Sequence, residues 1–296
     1  MELKAHLKRL AKKIPGTFKL AGALQYAKFS RQLRKAEADY RKRGDRLVPP
    51  PMLRYRVHRA LDEASYTQNG IYLSGLMAGH IKALFPQTTG LKVLDFACGP
   101  GRVIVGLKEK LPGIRLYGSD IDLEAISWAS QHLAHIASFS SNELLPPAIF
   151  AADEFDVIYS ISLFTHLDEE LQHRWLQEMM RMLKPGGVLI ATTHGALCTP
   201  ACTPEELRQL DREGIVFRVG HRGRLKLDGL PEFYQTTFHT RDYVLRHWSG
   251  FGIIESYLEG GVNNHQDLVI LRKPEAPSHP AETLTGAAAA CHAAAG

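Results

Sequence analysis

The chain has 296 residues, of which 45% are hydrophobic and 23% are charged. These values are ordinary for globular proteins and allow one substantial core. No apolar run reaches the roughly 18 residues of a membrane-spanning helix. The four cysteines form neither a disulfide framework nor a zinc-ligand pattern, so no metal is expected. We therefore expect a cytoplasmic protein with one main domain.

The first 46 residues are strongly basic, with 14 Lys or Arg against 4 Asp or Glu, whereas the net charge of the whole chain is only +5. Leucines recur there at helical spacing with lysines between them, which predicts a basic amphipathic helix. Such a helix either packs on the main domain or lies on the inner face of an anionic membrane. Few aromatic residues interrupt the basic ones, so nucleic acid is disfavoured as a partner. We assign residues 1–50 to this extension, because a run of prolines follows.

From residue 92 onward, short apolar strands alternate with helices. Strands are predicted at 92–96, 115–119, 155–160 and 187–193, a leading helical stretch at 52–84, and helices at 102–110, 123–135 and 169–183. This rhythm predicts an α/β fold with a Rossmann-like, doubly wound and mostly parallel sheet. Ligands of such sheets bind at the carboxyl ends of the strands.

The pattern changes after residue 193. It predicts a helix at 204–212, a hairpin between Ile215 and Phe238, a helix at 240–248, and strands at 252–259 and 266–272. Two sequential strands joined by a short loop favour an antiparallel edge of the sheet. We assign residues 51–274 to the main domain. The segment 275–296 is rich in Pro and Ala and is predicted to be a disordered tail.

The strongest local signal is the segment V-L-D-F-A-C-G-P-G-R, a strand that enters a glycine-rich turn and then a helix. Gly99 and Gly101 permit a tight turn and close approach of a ligand, although a plain strand-to-helix turn is the simpler alternative. Asp120 closes the next strand, where an acid can accept hydrogen bonds from ribose hydroxyls. Asp122 is the better candidate for capping the following helix.

Two kinds of nucleoside cofactor are to be distinguished for this turn. A dinucleotide fingerprint needs a third glycine where the chain has Ile104, which argues against a nicotinamide cofactor. A cofactor with an amino-acid end suits Asp95, because a carboxylate there can hold an ammonium group.

Four sequence blocks then resemble the class I S-adenosylmethionine-dependent methyltransferases: D-x-x-C-G-P-G-R, G-S-D-I-D, F-D-V-I-Y-S-I-S-L-F-T-H-L and L-K-P-G-G-V-L-I-A-T-T-H-G. They occur in the family's order between residues 92 and 195. The later blocks Y-Q-T-T-F-H and H-Q-D-L resemble a bacterial branch associated with glycan or surface-polysaccharide assembly.

The resemblance implies roles for residues that match the family's motifs. Gly99 and Gly101 would line the methionine part of S-adenosylmethionine, and Asp120 would bind the ribose hydroxyls. Ile121 would flank the adenine, and Asn142 would hydrogen-bond its edge.

At the reactive end, Ser160 and Ser162 end the fourth predicted strand and would face the cofactor. Histidine is the preferred general base if the acceptor is a hydroxyl group. The candidates for acceptor contact are His194 and His166 as catalytic bases, and Tyr234 and His239 as substrate-binding residues.

The sequence thus predicts an enzyme that methylates an oxygen atom of a small molecule or glycan. A nitrogen or carbon acceptor, which removes the need for a base, is one alternative. A methyltransferase-like module that has lost turnover and acts in a membrane-associated assembly complex is another. A nicotinamide-dependent oxidoreductase is a more distant one.

Overall fold

The computed structural model describes residues 17–43, 47–220 and 229–275. The predicted amphipathic helix around residues 3–14 and the tail at 276–296 lie outside the described residues. A helical N-terminal extension is present, because helix α1 spans Thr17–Arg43 and ends on three basic residues. Among the described residues, no helix is both long and apolar enough to cross a membrane.

The main sheet has seven strands in the order β3-β2-β1-β4-β5-β9-β8. Their bounds are β1 Lys92–Phe96, β2 Arg115–Asp120, β3 Ser138–Ser141, β4 Phe155–Ser160, β5 Leu183–Thr193, β8 Ile253–Val262 and β9 Gln266–Arg272. The first five strands pair in parallel, and β9 and β8 add an antiparallel edge. The predicted fold class is therefore confirmed.

Helices cover both faces of this sheet. The helices packed on the sheet are α3 Glu63–Leu84, α4 Arg102–Lys110, α5 Leu123–His132, α6 Glu169–Met182 and α8 Arg241–Trp248. Two further helices, α2 Pro51–His58 and α7 Pro204–Glu213, place their buried hydrophobic residues in separate clusters. Successive strand residues point to opposite faces, so Val93 of β1 packs with Met77 of α3. Leu94 packs on the other face with Trp175 of α6. Burial on both sides explains why these strands are continuously apolar.

The helix predicted at 52–84 is two helices. Arg59 adopts a left-handed conformation with φ +58° and ends α2. The carboxylate of Asp62 then accepts a hydrogen bond from the Ser65 amide and starts α3. Asp and Asn side chains compete with the helical backbone in this way and favour helix starts. The break turns the end of α2 toward the carboxyl ends of the strands.

The hairpin predicted between Ile215 and Phe238 is also confirmed. Its strands, β6 Ile215–Arg218 and β7 Thr236–His239, form a separate antiparallel pair. A short 3₁₀ helix at Ala196–Ala201 leads from β5 toward α7.

Strands β2 and β3 lie on one side of β1, and strands β4 and β5 lie on the other. This reversal of strand order opens a crevice at the carboxyl ends of β1 and β4, where open α/β sheets bind their ligands.

Candidate active site

The turn after β1 holds the two glycines in the conformations that only glycine adopts easily. Gly99 has φ +53° and Gly101 has φ +80°, both in the left-handed region. A Cβ atom on Gly99 would lie 2.5 Å from Cγ1 of Val57. The Gly99 amide donates to Oδ2 of Asp120 at 2.7 Å. The turn and the end of β2 are therefore one hydrogen-bonded unit.

The two acidic residues after β2 have different tasks. Oδ1 of Asp120 accepts a hydrogen bond from the Asp122 amide at 2.8 Å, so both Asp120 oxygens face backbone donors around the turn. Asp122 caps α5 by accepting from the amides of Glu124 and Ala125. The prediction that Asp122 is the capping residue is confirmed. The Asp120 carboxylate retains acceptor capacity for a ligand.

Asp95 lies buried at the end of β1. The Tyr159 hydroxyl donates to its Oδ2 at 3.0 Å. Burial raises the pKa of Asp95 to about 7, although the hydrogen bond from Tyr159 opposes this shift. Asp95 is therefore poised between its neutral and charged forms near neutral pH.

Arg102 and Asn69 line the same cavity as Asp95. Burial of the guanidinium lowers the pKa of Arg102, and Nη1 lies 3.3 Å from Nδ1 of His58. Within the described part of the chain, Nε of Arg102 and Oδ1 of Asn69 are buried without a hydrogen-bond partner. A buried polar atom without a hydrogen-bond partner destabilises the fold unless a ligand or a water molecule bonds to it. The sequence motif contains Arg102, but nothing in the sequence marks Asn69.

One cavity of about 440 Å³ joins these groups, a volume within the usual range of small-molecule sites. Predicted site residues that line it are Asp95, Gly99, Asp120, Ile121, Asn142, Ser162, His166 and Tyr234. Asn142 is held in place at the end of β3, where its Oδ1 accepts from the Ser119 hydroxyl at 2.9 Å. The cavity therefore brings most of the predicted cofactor residues together.

A histidine and a tyrosine form the cavity wall beyond β4. The rings of His166 and Tyr234 stack with their centroids 4.2 Å apart. Nδ1 of His166 donates to the carbonyl oxygen of Gln235 at 2.5 Å, and the Tyr234 hydroxyl donates to the carbonyl oxygen of Ser162 at 3.2 Å. These bonds orient both rings between the β4 loop and the segment before β7.

Four predicted site residues are not among the described residues that line this cavity: Gly101, Ser160, His194 and His239. The Ser160 hydroxyl donates to the carbonyl oxygen of Phe96. His239 is buried and its Nε2 bonds Oε1 of Gln172 at 2.9 Å, and burial lowers its pKa to about 3. His194 lies beside His166, with ring centroids 6.2 Å apart, and burial lowers its pKa to about 4.

The cavity lies at the carboxyl ends of β1 and β2 and is lined by Asp95 and Asp120, the positions expected to hold a nucleoside cofactor with an amino-acid group. Residues 93–187 match the family model described as a methyltransferase domain. This region therefore matches a family of methyltransferase domains, and its turn and acidic residues suit S-adenosylmethionine as the cofactor.

Two curated relatives each align with about a third of the chain. Phosphoethanolamine N-methyltransferase of Plasmodium falciparum is 31% identical over 107 residues, which cover 36% of this chain and 40% of that protein. Malonyl-[acyl-carrier protein] O-methyltransferase of Hahella chejuensis is 32% identical over 104 residues, which cover 34% of this chain and 36% of that protein. The chain thus spans less than half the length of either relative.

Among solved structures, a SAM-dependent methyltransferase from Methanosarcina mazei has a TM-score of 0.47 and 20% sequence identity. The alignment covers 64% of this chain and 95% of that one.

Proposed function

We propose that this protein transfers a methyl group from S-adenosylmethionine to an oxygen atom of a small molecule or a glycan. The observation that carries the proposal is the layout of the cavity of about 440 Å³ described above. Asp95, Gly99 and Asp120 line it at the ends of β1 and β2, and His166 and Tyr234 line it beyond β4. A cofactor and an acceptor would therefore meet across the carboxyl ends of β1 and β4.

The cofactor end suits the charges of an amino-acid group. The carboxylate of Asp95 would pair with the ammonium group, and the buried Nε of Arg102 would donate to the carboxylate. Both side chains line the cavity, and Nε of Arg102 has no partner among the described residues. Asp120 would accept from the ribose hydroxyls, with Ile121 and Asn142 beside the adenine.

The acceptor end suits a hydroxyl group. When bound, S-adenosylmethionine supplies a methyl carbon that its positively charged sulfur activates, so alignment of the acceptor provides much of the rate. The carbonyl oxygen of Gln235 can only accept a hydrogen bond, so Nδ1 of His166 carries a proton and Nε2 would be the nitrogen that acts as the base. His166 would take the proton that the hydroxyl loses as its oxygen bonds the methyl carbon, while the carbon–sulfur bond would break and leave the neutral thioether of S-adenosylhomocysteine.

The test begins with the acceptor. Extracts of small molecules and glycans are incubated with the protein and methyl-labelled S-adenosylmethionine, and labelled products are identified by mass spectrometry and NMR. We expect a product with an O-methyl group. A product labelled only on nitrogen or carbon would contradict the oxygen assignment, and cofactor binding without any transferred label would indicate a module without turnover.

The role of His166 is tested with the acceptor so found. Replacing His166 with Gln should lower kcat by about 10²- to 10⁴-fold, the usual contribution of a general base, and should leave affinity for S-adenosylhomocysteine unchanged. The matched control is His135→Gln, because His135 is exposed and is not among the cavity-lining residues of the described chain. If kcat of His166→Gln equals that of the control, His166 is not the base. His194→Gln would then test the neighbouring ring.

A nitrogen acceptor is the second candidate, because one of the relatives carries the name of an N-methyltransferase. An amine in its neutral form attacks through its own lone pair and needs no base. His166→Gln would then change kcat little, which distinguishes the two candidates.

We also propose that residues 1–46 contact anionic membranes peripherally. Their charge supports this, with 14 Lys or Arg against 4 Asp or Glu. Clusters of basic residues are attracted to anionic lipid by about 1 kcal/mol per residue near the surface. This contact would bring the enzyme to acceptors at the membrane, including the glycans that the blocks at 234–239 and 265–268 suggest.

A further inference from the structure

Three segments that are distant in sequence converge beside the cavity. His194 follows the end of β5, Cys198 lies in the 3₁₀ helix, and His265 lies in the turn between β8 and β9. One ligand atom from each residue lies within 4.8 Å of the other two. Imidazole nitrogens and a thiolate are the ligands that Zn²⁺ prefers. The sequence does not reveal this group, because Cys198 and His265 lie 67 positions apart.

The tautomer of His194 is set by its surroundings. Its Nδ1 bonds the carbonyl oxygen of Thr237 at 3.1 Å. Because a carbonyl oxygen can only accept, Nδ1 carries the proton and Nε2 carries the lone pair. Metal-binding histidines typically have this arrangement, in which the second nitrogen donates to a carbonyl or carboxylate and orients the ring.

Cys198 is held next to His265. The thiol is buried, and Sγ lies 3.6 Å from Nδ1 and 3.8 Å from Nε2 of His265. Sγ also donates to the carbonyl oxygen of His265 at 3.0 Å. The ring centroids of His194 and His265 are 5.6 Å apart. The sulfur–nitrogen separations approach those between ligands of one tetrahedral ion, since zinc bonds nitrogen at about 2.0 Å and sulfur at about 2.3 Å.

The backbone around the group is braced by a buried carboxylate. Asp267 of β9 pairs with Thr193, the residue before His194. Its Oδ1 accepts from the Gly260 amide at 2.8 Å, and its Oδ2 accepts from the Tyr257 hydroxyl. The ends of β5, β8 and β9 are therefore tied together behind the three side chains.

We propose that His194, Cys198 and His265 bind one Zn²⁺ ion. Binding would release the thiol proton to solvent, and the thiolate would bond the metal. Three protein ligands leave a fourth position for water or an acceptor oxygen, as in catalytic zinc sites. His265 lines the cavity, so the ion would lie at the cavity wall. This site does not depend on the methyl-transfer proposal, because its ligands are separate from the proposed cofactor residues.

The experiment uses Co²⁺ as a spectroscopic probe in the full-length, chelator-treated protein. We expect one equivalent of Co²⁺ to produce a thiolate-to-cobalt charge-transfer band, and Zn²⁺ to displace Co²⁺, because thiolate ligands favour zinc. Cys198→Ser should abolish the band. Cys202→Ser is the matched control, since this cysteine lies four residues away and outside the group, and it should retain the band.

His265→Gln guards against a folding defect in Cys198→Ser, because His265 is exposed. It should weaken Co²⁺ binding at least about tenfold, since loss even of outer-shell partners costs about 10- to 100-fold. If the metal-free variants melt at the same temperature as the metal-free wild type, the variants are folded. Absence of the band in wild type, its persistence in Cys198→Ser, or unchanged Co²⁺ affinity in His265→Gln would each overturn the proposal.

Discussion

The pH dependence of cofactor affinity is a direct test of the role of Asp95. Burial raises the pKa of this carboxyl group to about 7, so the free protein holds it mostly neutral below that pH. An ammonium group binds the charged form. Cofactor affinity should therefore be highest above pH 7 and should be lost as pH falls through about 7.

The magnitude follows from the fraction ionised. A group with pKa 7 is charged in about a tenth of molecules at pH 6 and about nine tenths at pH 8. If only the charged form binds, affinity rises roughly tenfold between these values, or about 1.4 kcal/mol. Titration calorimetry with S-adenosylhomocysteine, which carries the same amino-acid group, measures this change. Buffers with different ionisation enthalpies should reveal a proton released on binding at pH 6.

Two variants sharpen the test. Asp95→Asn cannot ionise and should bind weakly with no rise between pH 6 and 8. The Tyr159 hydroxyl donates to Asp95 and thereby favours the charged carboxylate. Tyr159→Phe removes this hydroxyl, so the rise in cofactor affinity should move to higher pH. Melting curves at both pH values confirm that each variant is folded. A wild-type affinity that stays level from pH 6 to 8, or an Asp95→Asn profile that matches it, would refute the reasoning.

Three further predictions concern the acidic pair after β2 and the basic extension. Asp120→Ala should weaken S-adenosylhomocysteine binding by about tenfold or more, through loss of charge-assisted hydrogen bonds; calorimetry showing wild-type affinity would contradict its role. Asp122→Ala should mainly lower the free energy of unfolding, by about 1 kcal/mol for the lost cap, as measured by denaturant titration. Deleting residues 1–16, with their excess of lysine, should reduce sedimentation with anionic vesicles at low salt and leave cofactor affinity intact. Equal sedimentation of the truncated and full-length chains would argue against membrane contact.

The sequence alone predicts those strands and helices whose apolar pattern and turn residues lie within the element itself. The bounds of β1, α4 and β4 agree with prediction, because strands buried on both faces must be apolar and a glycine-rich turn marks where the helix begins. Asp95, Gly99 and Asp120 were predictable for the same reason, since they lie at the ends of such strands or in the turn itself.

Other elements depend on partners elsewhere in the chain. Strand β3 has the polar sequence S-F-S-S and exists because it pairs with β2 at the edge of the sheet. The break at Arg59 lies inside a stretch whose periodicity favours an uninterrupted helix. Neither feature has a sufficient local signal, because edge pairing and tertiary contacts decide it.

Only the tertiary structure distinguished among the histidines. His166, His194 and His239 all lie near the carboxyl ends of strands in sequence, yet only His166 of the three is among the described residues that line the cavity. The direction of each side chain depends on hydrogen bonds to Gln235, Thr237 and Gln172. Such bonds join residues 43 to 69 positions apart, and periodicity carries no information at that range.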